Sequence, residues 1–216
     1  MSLFNPVLAW HSIPDLLKGL PISLLMFVIC FITSNFVGIA VMLLRISHNY
    51  LLQWMARFYI SFFRGVPMLV VLFLTYFGAN MDAWSAAILS MTLIPSAFLA
   101  EYYRAALMGV SKTQFESAKA LGLSKWKTMK YVVFPQAFRV VLPSLGNVSL
   151  DMFKGTSLAA MITVSEMFMH AKIIAGANQD YMTIYIMIAV IYWMVCCALG
   201  WLEQAVEMHL NHVAER

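Results

Sequence analysis

From Gly19 to Leu44 the chain runs for 26 residues without one charged side chain. A helix rises about 1.5 Å per residue, so this run exceeds the ~30 Å hydrocarbon core of a bilayer. It is expected to span a membrane with some tilt. Tyr181 to Leu202 adds 22 uncharged residues and Ala83 to Ala100 adds 18. Two further runs are less clean. Gly65 to Met81 has only 17 uncharged residues. Its helix is therefore expected to begin earlier, bringing Arg57 or Arg64 into or near the membrane, with a bend at Arg64-Gly65-Val66-Pro67. Val140 to His170 is interrupted by Asp151 and Lys154. Counted back along a helix from His170, Lys154 lies about 24 Å in, at the inner third of the bilayer. Composition agrees: 11% of residues are charged, against roughly a quarter in soluble proteins. The expected fold is an all-α integral membrane protein, one domain over residues 1–216. Its five transmembrane helices fall near 19–44, 54–79, 83–103, 144–170 and 181–203.

One long segment is not made for lipid. Arg104 to Arg139 holds seven of the fourteen Lys and Arg residues and one acid, Glu116. Short basic loops stay on the cytoplasmic side, so this loop is expected to be cytosolic. Five spans then put the N-terminus outside and the C-terminus inside. The outer segments agree, with Lys18 and Lys172 as their only basic residues. The net charge of +4 thus reports orientation and no nucleic-acid partner. Cys30, Cys196 and Cys197 lie in apolar runs and suggest core packing. His209 and His212, three residues apart near the C-terminus, could share a metal, but a solvated tail is the plainer reading. With no Walker A sequence, Ser/His/Asp set or catalytic carboxylate pair, no activity or metal site of the chain's own is expected.

The basic segment has a local grammar. Thr113 and Glu116 have capping-box spacing, a first helix continues to Leu121, and Gly122 suits the left-handed position that ends it. Ser124 is placed to cap a second helix, Lys125 to Val133, with Pro135 as its stop. A solvated basic loop is the plain reading. The spacing says more: Glu116-Ser117-Ala118, three residues, Gly122, nine residues, then Val132-Val133-Phe134-Pro135. This resembles the EAA loop of ABC importer permeases, with Ser117 in place of the first Ala, Val132 of Ile and Phe134 of Leu. FFRGVP (Phe62 to Pro67), AEYYRAAL (Ala100 to Leu107) and KGTSLAA (Lys154 to Ala160) extend the resemblance to the polar amino-acid permease family over nearly the whole chain.

The resemblance implies a type I importer permease of the cytoplasmic (inner) membrane, surrounded by lipid. Glu116, Ser117, Ala118, Gly122 and Pro135 would belong to the element coupling it to a cytosolic ABC ATPase dimer. ATP and Mg would bind on that partner, with no cofactor on this chain. A second permease copy or a sister permease and an extracytoplasmic solute-binding protein would complete the machine. Where the family commonly carries an acid or Asn, this chain has Gly155. Ala56 to Gly65 and Ile191 to Trp193 resemble cystine permeases, which makes cystine the favoured substrate, with basic or other polar amino acids as alternatives. A channel or secondary transporter is the competing class; it should show inverted repeats or several intramembrane ionisable groups.

An amino acid crossing lipid must meet polar groups. Thr92 and Ser96, one turn apart, and Ser157 are the candidate pathway residues, because hydroxyls donate and accept. Serine and threonine in lipid also simply hold helices together. Arg64, Glu101, Arg104, Asp151 and Lys154 are the expected intramembrane charges, each needing a partner. Glu101 is expected to pair with Arg104 or Arg64.

Overall fold

The computed structural model describes residues 4–212, and every regular element among them is a helix. In order they are α1 (Pro6–Leu17), α2 (Leu20–Arg45), α3 (Tyr50–Gly65), α4 (Met68–Phe73), α5 (Ala83–Gly109), α6 (Lys112–Ala120), α7 (Lys125–Thr128), α8 (Phe134–Gly155), α9 (Met167–Asn178) and α10 (Tyr181–His212). Three of them, α2, α5 and α10, are long and apolar enough to cross a membrane alone; the number rises to five if each of two bent pairs counts as one span.

Helices α2 and α5 form the centre. They run parallel: Thr33 meets Thr92, and farther along Gly38 lies against Ser96 and Leu99. Small residues let them approach closely. A Cβ at Gly38 would sit 2.9 Å from the Leu99 Cβ, so no side chain fits there. Ser34, Ala86, Ala87, Ser90, Ala97 and Ala100 are all buried along the same pair. In lipid, where apolar burial gives helices little mutual attraction, such close contact and interhelical hydrogen bonds hold them together.

Residues 54–79, expected as one span, form two helices meeting at 104°. Pro67 is the cause. It drives the preceding residue out of helical conformation, and Val66 is extended at φ −101°, ψ 133°. Helix α4 then ends in a wide π turn, Leu74–Gly78. The bend expected near Gly65 is therefore a corner between helices.

The run 144–170 is also broken. Helix α8 passes into a 3-10 segment, Thr156–Ile162, Thr163 takes a left-handed φ of 68°, and α9 departs at 52°. A depth counted along an unbroken helix from His170 does not hold. Phe153 meets Phe27 edge to face with ring centroids 6.0 Å apart. That sets Lys154 level with the first third of α2, toward the end of the bundle away from the basic segment. Pro135 likewise does not stop a helix. The chain turns helically from Lys125 to Gly155, through a π turn at Met129–Val133 just before Pro135 in the first turn of α8. A wider turn accommodates a residue that cannot donate its backbone hydrogen bond.

Candidate coupling element and polar groove

Helix α6, Gly122 and α7 form a compact exposed element between the ends of α5 and α8. Helix α6 starts two residues earlier than a Thr113 cap implies. Its N-cap is Ser111, and no side chain caps it, so the expected box of Thr113 and Glu116 is not formed. The end of the helix follows the expected grammar. Gly122 has φ +74°. Its N–H donates to the Lys119 carbonyl and the Leu123 N–H to that of Ala118, both at 3.0 Å. These two bonds form a Schellman motif. Nothing lies within 4 Å of a Cβ built on Gly122, so backbone conformation alone calls for glycine. Ser124 caps α7, accepting from the Lys127 N–H at 3.4 Å.

Ala118 is the buried anchor of α6, at 3% exposure, whereas Glu116 and Ser117 face solvent. Gln114 and Gln136 join α6 to α8 by a 3.3 Å hydrogen bond. Below the element, Ala106, Val110, Val133, Ala137 and Val141 form an apolar cluster uniting the end of α5 with the start of α8. Leu121 and Trp126 are 80% and 74% exposed beside Lys125 and Lys127. Exposed large apolar side chains rimmed by charge mark a contact surface for another protein.

The expected charges find partners. Arg104 Nε donates to Glu101 at 3.0 Å, and Arg45 approaches the other carboxylate oxygen at 3.9 Å. Arg64 lies 5.1 Å above the Phe98 ring, a cation–π contact. Lys154 pairs with Asp151 at 2.8 Å, and this pair stays open, with side chains 57% and 76% exposed.

The three candidate pathway hydroxyls are not brought together. Thr92 bonds Thr33 across the α2–α5 contact at 2.7 Å. Ser96 is fully buried and bonds the Tyr59 hydroxyl at 2.7 Å, joining α5 to α3. Ser157 is different. With Lys154, Phe168, Tyr185 and Tyr192 it lines an open groove of about 370 Å³, while its hydroxyl donates to the Lys154 carbonyl at 2.8 Å.

One polar residue escaped the sequence reading. Glu166, the lone acid in the apolar run after Lys154, is fully buried. It caps α9, accepting from the Met169 N–H at 2.7 Å. Its other oxygen accepts from Tyr192 at 3.1 Å and Ser23 at 3.3 Å. Ser23 in turn accepts from the Met167 N–H at 3.1 Å. A rule that treats every acid within an apolar run as significant finds it.

This helical bundle with an exposed coupling-type element defines a class: the membrane subunit of a transport machine. Residues 34–212 match the family described as binding-protein-dependent transport system inner membrane component, and the chain belongs to that family. It is an inner-membrane ABC transporter permease of the amino-acid type. The probable amino-acid ABC transporter permease YckA of Bacillus subtilis (strain 168) is 43% identical over 97% of this chain and 95% of its own length. The L-cystine transport system permease TcyB of the same organism is 33% identical, covering 92% and 87%. Permeases named for glutamine and arginine are each 31% identical. The crystal structure of an amino acid ABC transporter with histidines superposes with a TM-score of 0.84 at 29% identity, over 92% of this chain and 95% of that one.

Proposed function

We propose that the chain is the translocating subunit of an ATP-driven importer of polar amino acids. It crosses the membrane five times, each bent pair serving as one span, with its N-terminus outside and its C-terminus in the cytosol. A cytosolic ATPase dimer grips residues 112–130, hydrolyses ATP with Mg, and drives the motion. A second copy or a sister permease supplies the other half of the path, and an extracytoplasmic binding protein delivers substrate. The observation that carries this reading is the α6–Gly122–α7 element. It is exposed enough to dock and is tied through Ala118 and the α5–α8 cluster to the bundle. A short helix seated on a moving partner passes rigid-body motion to the helices it joins.

The amino acid travels past the open Asp151–Lys154 pair and Ser157. An exposed ion pair within a span needs water or a ligand beside it, and its two charges match the two ends of a zwitterion. Thr92 and Ser96 hold helices together. Cystine is the favoured substrate, supported by the likeness to TcyB; basic and other polar amino acids are the alternatives, supported by the relatives named for arginine and glutamine. The test is uptake into proteoliposomes holding the assembled transporter, with a panel of amino acids. Uptake is expected to require internal ATP, and Asp151→Asn or Lys154→Gln to reduce it while assembly persists. Uptake without ATP, driven by an ion gradient, would favour a secondary transporter.

A further inference from the structure

The groove beside Lys154 has an aromatic wall. Phe168 and Tyr185 stack with centroids 5.8 Å apart and planes at 19°, and Tyr192 completes the wall. Behind Tyr192 lies Glu166, the one carboxylate sealed inside this region of the bundle. The Tyr192 hydroxyl donates to Oε2 of Glu166, a residue that does not itself line the groove. With Ser23 on the same oxygen and the Met169 N–H on the other, Glu166 is occupied by three donors. It is fully buried. A carboxylate held this way offers no free oxygen to a passing cation.

We propose that Tyr192, positioned by Glu166, is a specificity-determining residue. It screens the buried carboxylate and presents only its ring to the substrate side chain. This rests on the reading that the groove is the amino-acid path. Asp151 and Lys154 take the ammonium and carboxylate of the zwitterion. The side chain then lies against Phe168, Tyr185 and Tyr192, where no charge of either sign meets it. The substrate class is therefore amino acids with uncharged side chains. Sulfur-bearing ones suit the wall particularly well, since sulfur packs favourably against aromatic rings. Cationic side chains, which would need the Glu166 carboxylate, are excluded because Tyr192 covers it with ring and hydroxyl together.

The experiment is competition for uptake by the assembled transporter in proteoliposomes, using methionine and glutamine, whose side chains carry no charge, against arginine and lysine. For the wild type, the uncharged pair is expected to compete about tenfold better, the effect of one charge-assisted contact denied. Tyr192→Ala removes both the ring and the hydroxyl that stand between the groove and Glu166, opening the carboxylate to the path. It should improve arginine and lysine about tenfold relative to methionine. Adding Glu166→Gln removes the unmasked charge, so the double variant should return to the wild-type ranking. A purely structural pair would lower uptake of all four alike and leave the ranking unmoved. The proposal is overturned if the wild type prefers arginine or lysine, a result independent of how any variant folds. It is also overturned if Tyr192→Ala leaves the ratio unchanged, or if its altered ratio persists in the double variant. No ATP-dependent uptake of any amino acid by the wild type would instead defeat the proposed function itself.

Discussion

Single residues divide into those whose chemistry is visible in the sequence and those whose neighbours decide it. Gly122 is of the first kind: a glycine after a short helix and before a serine cap reads as a left-handed turn, and it is one at φ +74°. With open space around its Cβ, Gly122→Ala should strain only the backbone, by about 1–2 kcal/mol. Gly122→Val should strain it more, because β-branched residues resist that conformation. Circular dichroism and thermal unfolding of the assembled transporter should rank them wild type, Ala, Val; equal midpoints would contradict the motif. Thr92 and Ser96 are of the second kind. Spacing puts them on one face, but their hydroxyls go to Thr33 and Tyr59 on different helices. Thr92→Ala and Ser96→Ala should each lower stability by about 0.6 kcal/mol and leave the ranking of competing amino acids unchanged. A shifted ranking with an unchanged melting midpoint would return them to the pathway.

At the scale of elements, long charge-free runs reveal helices well and corners poorly. Run length set the starts of α2, α5 and α10 to within a residue, because a continuous apolar helix satisfies its own backbone in lipid, but α5 and α10 continue past the expected ends at 103 and 203 to Gly109 and His212. The α3–α4 corner was less legible. Pro67 announces a bend, but its 104° depends on how α3 seats Ile60 and Ala56 against α2 and α5. The break at Thr163–Glu166 has no proline or glycine to mark it. Glu166 takes the place of such a signal by capping α9 and binding Ser23 and Tyr192. The coupling element was legible as a unit, although its first cap was misplaced and the π turn before Pro135 absorbed the expected stop. The exposed acid on α6 gives a direct prediction. Glu116→Lys reverses the only acid on that helix without touching its buried anchor, Ala118. It should weaken copurification of the ATPase while the permease itself inserts and folds. Undiminished copurification would show that the ATPase does not rest on this face.

For the whole molecule, orientation follows from where the basic residues gather. Seven of fourteen lie between Arg104 and Arg139, and the same segment forms the exposed coupling-type element. Single cysteines replacing Lys125 and Asn178, in a background without the native three, should be labelled from opposite sides of the membrane. Labelling of both from outside by an impermeant reagent would reverse that account. On the proposed reading, the open Asp151–Lys154 pair lines half of a path that a second permease would complete. The central claim is that residues 112–130 couple this path to ATP hydrolysis. The most direct measurement is ATP-dependent amino-acid uptake by the assembled transporter in proteoliposomes, wild type beside Gly122→Val, with bound ATPase quantified in the same vesicles. The account predicts uptake by the wild type only with internal ATP, and about tenfold less by Gly122→Val, matching a turn strained by about 1–3 kcal/mol. Full uptake by Gly122→Val, or wild-type uptake that persists without ATP and ATPase, would contradict it.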